Sequence, residues 1–159
     1  MLIIRELKQI EYYLLKEFVY QSIFQRDETN PIPRTALDDP KIKAYYENFG
    51  RDGDYCIVAF LNDNPIGCVW TRIIIGDITG FGNIDETTPE FGISLLKEHR
   101  GQGIGTRLME SMLTLLRSKG YKRTSLAVQK DNYAIKMYQN IGFKIIKEMD
   151  EEYLMLYDL

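Results

Sequence analysis

Apolar and polar residues follow two periods along this chain, one typical of strands and one typical of helices. Residues 2–7 alternate and predict a short strand, whereas residues 9–21 carry apolar side chains at helical spacing and predict a first helix. Residues 36–49 predict a second helix that ends at Gly50. We expect these two helices to lie over one end of a sheet.

The rest of the chain predicts elements in an order that indicates the class of fold. Two β-rich runs, residues 55–61 and 66–75, are joined by residues 62–65, whose types favour the tight turn of a β-hairpin. Beyond a glycine-rich loop, the pattern predicts in chain order a strand at 90–96, a helix at 103–119, a strand at 122–129, a helix at 132–140 and two final strands. Because a strand–helix–strand crossover joins parallel neighbours, we predict an α/β domain with a mixed sheet that comprises the whole chain, residues 1–159.

Composition and charge argue against several classes of protein. Apolar residues make up 45% and charged residues 27% of the 159 residues, which is typical of a globular protein. The net charge of −3, without a basic run, argues against a nucleic-acid partner. No apolar stretch approaches the roughly 20 residues of a membrane span and no signal peptide is apparent, so we expect no membrane partner and a cytoplasmic location. Cys56 and Cys68 lie in predicted buried strands and are expected to be reduced thiols.

A glycine-rich turn at residues 100–106 is the most informative local feature. Its sequence, Arg-Gly-Gln-Gly-Ile-Gly-Thr, lies between a predicted strand and a predicted helix. Glycines at 101, 103 and 105 let the backbone approach a ligand, and the N–H groups of the turn lie at the positive end of the helix that follows. These features predict a pyrophosphate site, with helix capping alone as the alternative.

Other glycine-loop nucleotide sites fit this turn less well. The P-loop has Lys after its last glycine, where this chain has Thr106. The dinucleotide-binding fingerprint requires an acidic residue about 20 positions further on. Residues 120–126 contain neither Asp nor Glu, so neither class of site is predicted.

Two motifs together resemble the GNAT superfamily of N-acetyltransferases. The pattern Arg100-x-x-Gly103-x-Gly105 is similar to the acyl-CoA signature of that family, and residues 132–143 resemble its Asn…Ala…Tyr…Gly-Phe pattern. The resemblance implies a mixed, mostly antiparallel central sheet with one parallel pair at the cofactor splay, flanked by about four helices. It also implies direct transfer of an acetyl group from acetyl-CoA, the cosubstrate, to a primary amine in a ternary complex. The alternative is an acyl-CoA-binding sensor or partner subunit without catalysis.

The same resemblance implies which residues bind acetyl-CoA. Backbone groups of Ile93, Ser94 and Leu95 would bind the pantetheine arm and the acetyl carbonyl. The pyrophosphate would bind the turn whose members are Arg100, Gly101, Gln102, Gly103, Ile104, Gly105 and Thr106. Asn132 would contact the cofactor arm, with capping of the helix as its alternative role. Many relatives carry the Asn seven positions before the Tyr, where this chain has Asp131.

Acetylation of an amine needs one group that accepts a proton from the amine and another that protonates the leaving thiolate. Glu90 begins the strand that leads to the glycine turn, and the resemblance implies a catalytic or substrate-binding carboxylate there; a solvated edge residue is the alternative. Tyr138 carries a phenol that stays protonated, and the resemblance places it beside the thioester sulfur; a core aromatic is the alternative. His99, the one histidine, is not predicted to act as a base, and no residues have metal-ligand spacing.

The acceptor is not specified by any motif. A small-molecule amine and a peptide amine both agree with the resemblance. We expect the first two helices and the loop from Gly76 to Thr88 to bind the acceptor, and this loop to be either a mobile lid or a simple connection. Pairing of the C-terminal strand, residues 154–157, between chains would give a homodimer, and the oligomeric state stays open.

Overall fold

The computed structural model of the chain describes residues 1–159 and contains one seven-stranded sheet in the order β1-β2-β3-β4-β5-β7-β6. Its strands are β1 (Leu2–Glu6), β2 (Tyr55–Leu61), β3 (Asn64–Arg72), β4 (Glu90–Leu95), β5 (Arg123–Gln129), β6 (Lys144–Glu148) and β7 (Glu152–Asp158). Neighbouring strands are antiparallel except β4 and β5, which are parallel. The predicted mixed, mostly antiparallel sheet with one parallel pair is confirmed.

The α-helices that flank the sheet are α1 (Leu15–Ser22), α2 (Pro40–Lys43), α3 (Ile104–Ser118) and α4 (Ala134–Ile141). Short 3-10 helices precede α1 and α2, at Gln9–Leu14 and Arg34–Asp38, and a third comprises Lys97–His99. The order strand, helix, strand, helix, strand, strand that the pattern predicts for the second half is confirmed. None of the helices combines the length and the apolar character that crossing a bilayer requires.

The predicted helix over residues 36–49 is wrong, since regular α-helix there comprises only the four residues of α2. Asp39 precedes Pro40 and has an extended backbone, with φ −62° and ψ 126°. A residue before proline is disfavoured in the helical region because its backbone collides with the proline ring. Asp39 therefore ends one 3-10 helix, and its side chain starts α2 by accepting a hydrogen bond from the Lys41 amide at 2.9 Å. The chain continues as turns over residues 44–48.

The helices cover opposite faces of the sheet. On one face, α3 and α4 pack over a core cluster that includes Phe91 of β4. On the other face, α1 and the segment around α2 pack over a cluster that includes Cys56 and Cys68. Both cysteines are free and buried there, as predicted for core residues, and their reduced state in the cell stays a prediction. Because successive residues of a strand point to opposite faces, Glu90 and Ser94 lie on the α1 face of β4.

The sheet opens between its parallel strands, β4 and β5. The two strands pair at a single position, Glu90 with Ser125, and diverge beyond it. On its other side β4 stays paired with β3. Just beyond β4, the Leu96 amide extends this pairing by donating to a β3 carbonyl at 2.9 Å. Hydrogen-bonding direction alternates along a strand, so Ile93 and Leu95 present their backbone N–H and C=O groups to the gap.

The C-terminal strand β7 is internal to the sheet, since it pairs with β5 on one side and with β6 on the other. Residues 154–157 therefore have no free edge, and the prediction that they pair between chains is wrong. The edge strands of the sheet are β1 and β6.

Candidate active site

The glycine-rich turn leads into α3 with a backbone that only glycine adopts readily. Gly101 and Gly103 have φ of 74° and 80°, in the left-handed region that side chains with a Cβ disfavour. A Cβ added to either residue would meet no atom within 4 Å, because both face open space. The turn therefore requires glycine for its conformation and leaves room beside it for a ligand.

The N–H groups of residues 101–106 donate to no acceptor within the chain. The first hydrogen bond of α3 runs from the Arg107 amide to the Gly103 carbonyl at 3.1 Å, so the amides before it have no helical partner. Unpaired amides at a helix N-terminus, where the helix dipole is positive, attract an anion. The turn thus fits the pyrophosphate of a CoA-type cofactor.

A cavity of about 600 Å³ opens beside this turn, between α1, the end of β4, the start of α3 and α4. Most residues that are predicted to bind acetyl-CoA line it: Ile93, Ser94, Leu95, Arg100, Gly101, Gly103, Gly105, Thr106 and Asn132. Gln102 and Ile104 do not line it, and Ile104 belongs to the core cluster beneath α3. These two residues can contribute main-chain N–H groups but not side chains.

Arg100 connects the end of β4 to the start of α4. Its Nε donates to the Leu95 carbonyl at 2.9 Å, and its guanidinium lies 5.7 Å from the centre of the Tyr133 ring. The other guanidinium donors have no partner within the chain, so a permanent cation lies at the cavity wall. This position agrees with the prediction that Arg100 binds acetyl-CoA, whose phosphates are anionic.

Asp131, which precedes Asn132, is bound by Arg26. The Arg26 Nε donates to one carboxylate oxygen of Asp131 at 2.7 Å, and a terminal nitrogen donates to the other at 3.0 Å. Asn132 accepts a hydrogen bond from the Ala134 amide at 2.9 Å, so its Oδ1 has the capping role that was the alternative. Binding of the cofactor arm by the Asn132 side chain stays a prediction.

The loop at residues 23–33, which follows α1, forms part of the cavity wall. Two ion pairs fasten it to both sides of the gap in the sheet, Arg26 with Asp131 after β5 and Glu28 with Lys97 after β4, at 2.7 and 2.6 Å. Their side chains are at least half exposed, so the pairs add little stability but restrict where the loop lies. No local pattern reveals them, because the partners are 105 and 69 residues apart.

Tyr138 of α4 lines the same cavity, although its ring belongs to the core cluster. The ring packs against Phe143 at a steep angle, with centroids 6.0 Å apart. The hydroxyl makes no hydrogen bond within the chain, and burial raises the pKa of Tyr138 above its ordinary value, which keeps the hydroxyl protonated. The side chain is therefore a core aromatic that also brings a free donor to the cavity.

Glu90 is only 6% exposed, so the alternative that it is a solvated edge residue is wrong. Its Oε2 accepts a hydrogen bond from the Tyr45 hydroxyl at 2.6 Å, whereas Oε1 is a buried oxygen without any partner. Burial raises the pKa of Glu90 from 4.5 to about 7, and the hydrogen bond from Tyr45 opposes this rise. A carboxyl with a pKa near 7 is suited to accept a proton at neutral pH.

His99 ends the 3-10 helix before the glycine turn and does not line the cavity. No three side chains of His, Cys, Asp or Glu are grouped so that they could hold a metal ion.

Comparison with known proteins relates both the sequence and the fold to acetyltransferases. The sequence profile of the acetyltransferase (GNAT) family matches residues 19–143. Over 120 residues, 74% of this chain and 77% of the relative, the chain is 28% identical to N-alpha-acetyltransferase 30 of Schizosaccharomyces pombe.

Two solved structures share the fold over the whole chain. One is a GNAT-family acetyltransferase of Staphylococcus aureus Mu50, with a TM-score of 0.72, 20% identity and coverage of 100% of this chain and 99% of that chain. The other is the PaiA N-acetyltransferase of Thermoplasma acidophilum in complex with coenzyme A, with a TM-score of 0.69, 18% identity and the same coverage. Because the family profile spans the glycine turn, the parallel strands and α4, the chain belongs to the acetyltransferase (GNAT) family, the acyltransferases that use acetyl-CoA as cosubstrate.

Proposed function

We propose that the protein is an N-acetyltransferase that moves an acetyl group from acetyl-CoA directly to a primary amine, with both substrates bound at once. The observation that carries this proposal is the run of unpaired amides at residues 101–106, beside a cavity that reaches the open edge of β4. One cavity therefore has anion-binding donors, an open strand edge and a free phenol. These groups suit acetyl-CoA, which is a thioester that also contains a pyrophosphate.

In this proposal, different groups of the chain bind different parts of acetyl-CoA. The amides of residues 101–106, together with Arg100, would bind the pyrophosphate. The N–H and C=O groups of Ile93 and the N–H group of Leu95 would hydrogen-bond the pantetheine arm as a sheet edge binds an added strand, whereas the Leu95 carbonyl already accepts from Arg100. When bound, acetyl-CoA supplies an acyl group that is activated as a thioester.

Two side chains carry the proton transfers in this proposal. Ionised Glu90 accepts a proton from the amine at Oε1, and the nitrogen lone pair forms the new C–N bond. As the C–S bond breaks, the Tyr138 hydroxyl donates its proton to the sulfur, so the products are an amide and a free thiol. Solvent then removes the proton from Glu90 and restores one to Tyr138, which returns both groups to their starting state.

The acceptor is an amine on a small molecule or on a peptide. The relative in Schizosaccharomyces pombe is named an N-alpha-acetyltransferase. A peptide α-amine is therefore the first class to test, followed by polyamines and free amino acids.

Release of free thiol from acetyl-CoA, measured with a panel of these amines, tests the proposal. We expect turnover with at least one amine, and calorimetric binding of CoA by the same preparation. Binding of CoA without turnover of any amine would contradict the proposal and favour a non-catalytic sensor or partner subunit.

Replacing Tyr138 with Phe is expected to lower kcat about a hundredfold. Tyr138→Phe keeps the ring and its packing on Phe143 but removes the donor to the leaving sulfur. Such a donor stabilises the developing negative charge more than it stabilises the uncharged thioester, so acetyl-CoA affinity should change little. Rates at saturating amine, compared for acyl donors with good and poor thiol leaving groups, measure the effect, and poor leaving groups should lose more.

Tyr157→Phe is the matched control for this variant. The Tyr157 ring also packs on Phe143, with centroids 5.3 Å apart, whereas its hydroxyl accepts a hydrogen bond from Arg117 outside the cavity. We expect the rate of the control to match wild type. If Tyr138→Phe loses no more rate than the control, or loses thermal stability in proportion to activity, Tyr138 is a core residue without a catalytic role.

A further inference from the structure

Tyr45 joins three separate parts of the fold at Glu90. It lies in the turns after α2, yet its hydroxyl donates to Oε2 of Glu90 at 2.6 Å and accepts a hydrogen bond from the Phe81 amide at 2.8 Å. The rings of Tyr45 and Phe81 are parallel within 4°, with centroids 6.1 Å apart. One hydroxyl thus contacts both the carboxyl and the loop that covers it.

We propose that Tyr45 is a positioning residue of the acceptor site: it holds Glu90 so that the unpaired Oε1 faces the amine, and it fastens the covering turn at residues 80–82. This role rests on the proposed function, in which Glu90 accepts the proton of the amine. In this arrangement the reacting amine lies at Oε1, beneath the loop of residues 76–88. The cofactor motifs do not specify this position.

The unpaired Oε1 distinguishes this arrangement from a purely structural contact. A buried acceptor without a partner is unfavourable, and a ligand that donates a hydrogen bond removes the penalty. Oε1 occupies the place that a Cβ at residue 80 would take, so a glycine at residue 80 is what lets the carboxyl lie there. The free lone pairs of Oε1 match the N–H donors of an amine.

Glu90 is buried and does not line the cavity, and the turn at residues 80–82 packs against its carboxyl. The turn lies against β5, where the Ser125 hydroxyl donates to the Gly82 carbonyl at 2.6 Å. Phe81, between two glycines, remains 46% exposed. Displacement of Phe81 breaks its hydrogen bond to Tyr45 but leaves the bond from Tyr45 to Glu90, so the carboxyl stays in place when an amine enters.

Arg72 fixes the segment that carries Tyr45. Its fully buried side chain pairs with Asp54 at 3.0 Å. It also donates to three backbone carbonyls of the segment, those of Ala44, Glu47 and Asn48. Arg72 is the residue of β3 that lies opposite Glu90, so Tyr45 and Glu90 are anchored at the same point of the sheet.

Two titratable groups act on the Glu90 carboxyl from neighbouring elements. Tyr45 stabilises the anion through its hydrogen bond, whereas Glu152 at the start of β7 disfavours the anion by repulsion. Arg72 directs its guanidinium to Asp54 and to main-chain carbonyls, and the covering turn carries no charged side chain. Loss of the Tyr45 hydroxyl removes the largest contribution that lowers the pKa of Glu90 and leaves only the nearby Gly82 amide to oppose burial and repulsion, so this pKa rises further.

Tyr45→Phe tests this role, because it keeps the ring but removes the hydroxyl. We expect the acid limb of the pH dependence of kcat/KM to move upward by about one pH unit, so that kcat/KM falls about tenfold at pH 6 and changes little at pH 9. Acetyl-CoA affinity should not change, since neither Tyr45 nor Glu90 lines the cavity. The matched control is Tyr46→Phe, whose lost hydroxyl donates to the Leu37 carbonyl at 2.8 Å.

The outcomes separate the role of Tyr45 from that of Glu90. If Glu90→Gln is inactive but the Tyr45→Phe profile coincides with that of Tyr46→Phe, the role of Tyr45 is overturned and the proposed function stands. If Glu90→Gln keeps full activity and an unchanged acid limb, both are overturned. In a Glu90→Gln background, Tyr45→Phe should cause no further shift of the profile, and a persisting shift would overturn the role of Tyr45.

Discussion

Gly103→Val is expected to lower the affinity for acetyl-CoA about a hundredfold or more. The added side chain would occupy the open space beside the unpaired amides, where the pyrophosphate is expected to bind. Loss of two or three hydrogen bonds to a charged group removes several kcal/mol, at roughly 1.5–3 kcal/mol each. Calorimetric titration with acetyl-CoA measures the loss.

Gly120→Val provides a control for the backbone strain in this variant. Gly120 has φ of 86°, close to that of Gly103, and a Cβ there would also meet open space. It lies just beyond the C-terminal end of α3, far along the helix from the glycine turn. Valine is strained at both positions, so a difference in acetyl-CoA affinity between the two variants reports on the glycine turn and not on backbone strain. If the two folded variants bind acetyl-CoA equally well, the turn is not the pyrophosphate site.

Glu90→Gln is expected to lower kcat/KM about a hundredfold to ten-thousandfold, the usual effect of losing a general base. The amide keeps an oxygen for the Tyr45 hydroxyl but cannot accept the proton of the amine. The acid limb near pH 7 should disappear from the pH–rate profile, while acetyl-CoA affinity is retained. Glu152→Gln leaves Glu90 intact but removes a carboxylate whose repulsion raises the pKa of Glu90, so its acid limb should move to lower pH while its rate above that limb stays close to wild type. A larger loss in Glu152→Gln than in Glu90→Gln would show that the wrong carboxylate has been assigned.

Glu90→Gln is also expected to change how the stability of the protein depends on pH. The pKa of Glu90 is raised from 4.5 to about 7 in the folded chain, so the unfolded chain releases this proton first as pH rises. The contribution of Glu90 to stability is therefore full below about pH 4.5 and declines up to about pH 7. Glu90→Gln does not titrate, and its free energy of unfolding in urea should decrease less than that of wild type over this window. Identical slopes for the two proteins would contradict the raised pKa.

The glycine turn and the helix that follows it could be predicted because their signals are local. Three glycines within five residues, between a strand and a helix, indicate a turn that offers main-chain amides to a ligand. The helix predicted at residues 103–119 is α3, Ile104–Ser118. A turn built from main-chain donors on contiguous residues can be recognised without knowing which distant side chains lie beside it.

The surroundings of Glu90 could not be predicted in the same way, because distant residues build them. Tyr45 and Glu90 are 45 residues apart, and no periodicity indicates that one carboxylate oxygen is bound while the other is left without a partner. Apolar spacing on both sides of Pro40 suggested one long helix and assigned Tyr45 to it. The conformational restriction before Pro40 outweighs that spacing, and Tyr45 lies instead in a turn that reaches the sheet.

The gap between β4 and β5 also bears on how the protein avoids aggregation. An unpaired strand edge normally offers a template on which another polypeptide can add, and this hazard increases when the edge is exposed. The main-chain groups of Ile93 and Leu95 that face the gap lie instead in a cavity whose wall includes residues 23–33. The pairs of Arg26 with Asp131 and Glu28 with Lys97 hold that wall in place. The covered edge is therefore a less ready template for a foreign β-strand than an exposed one.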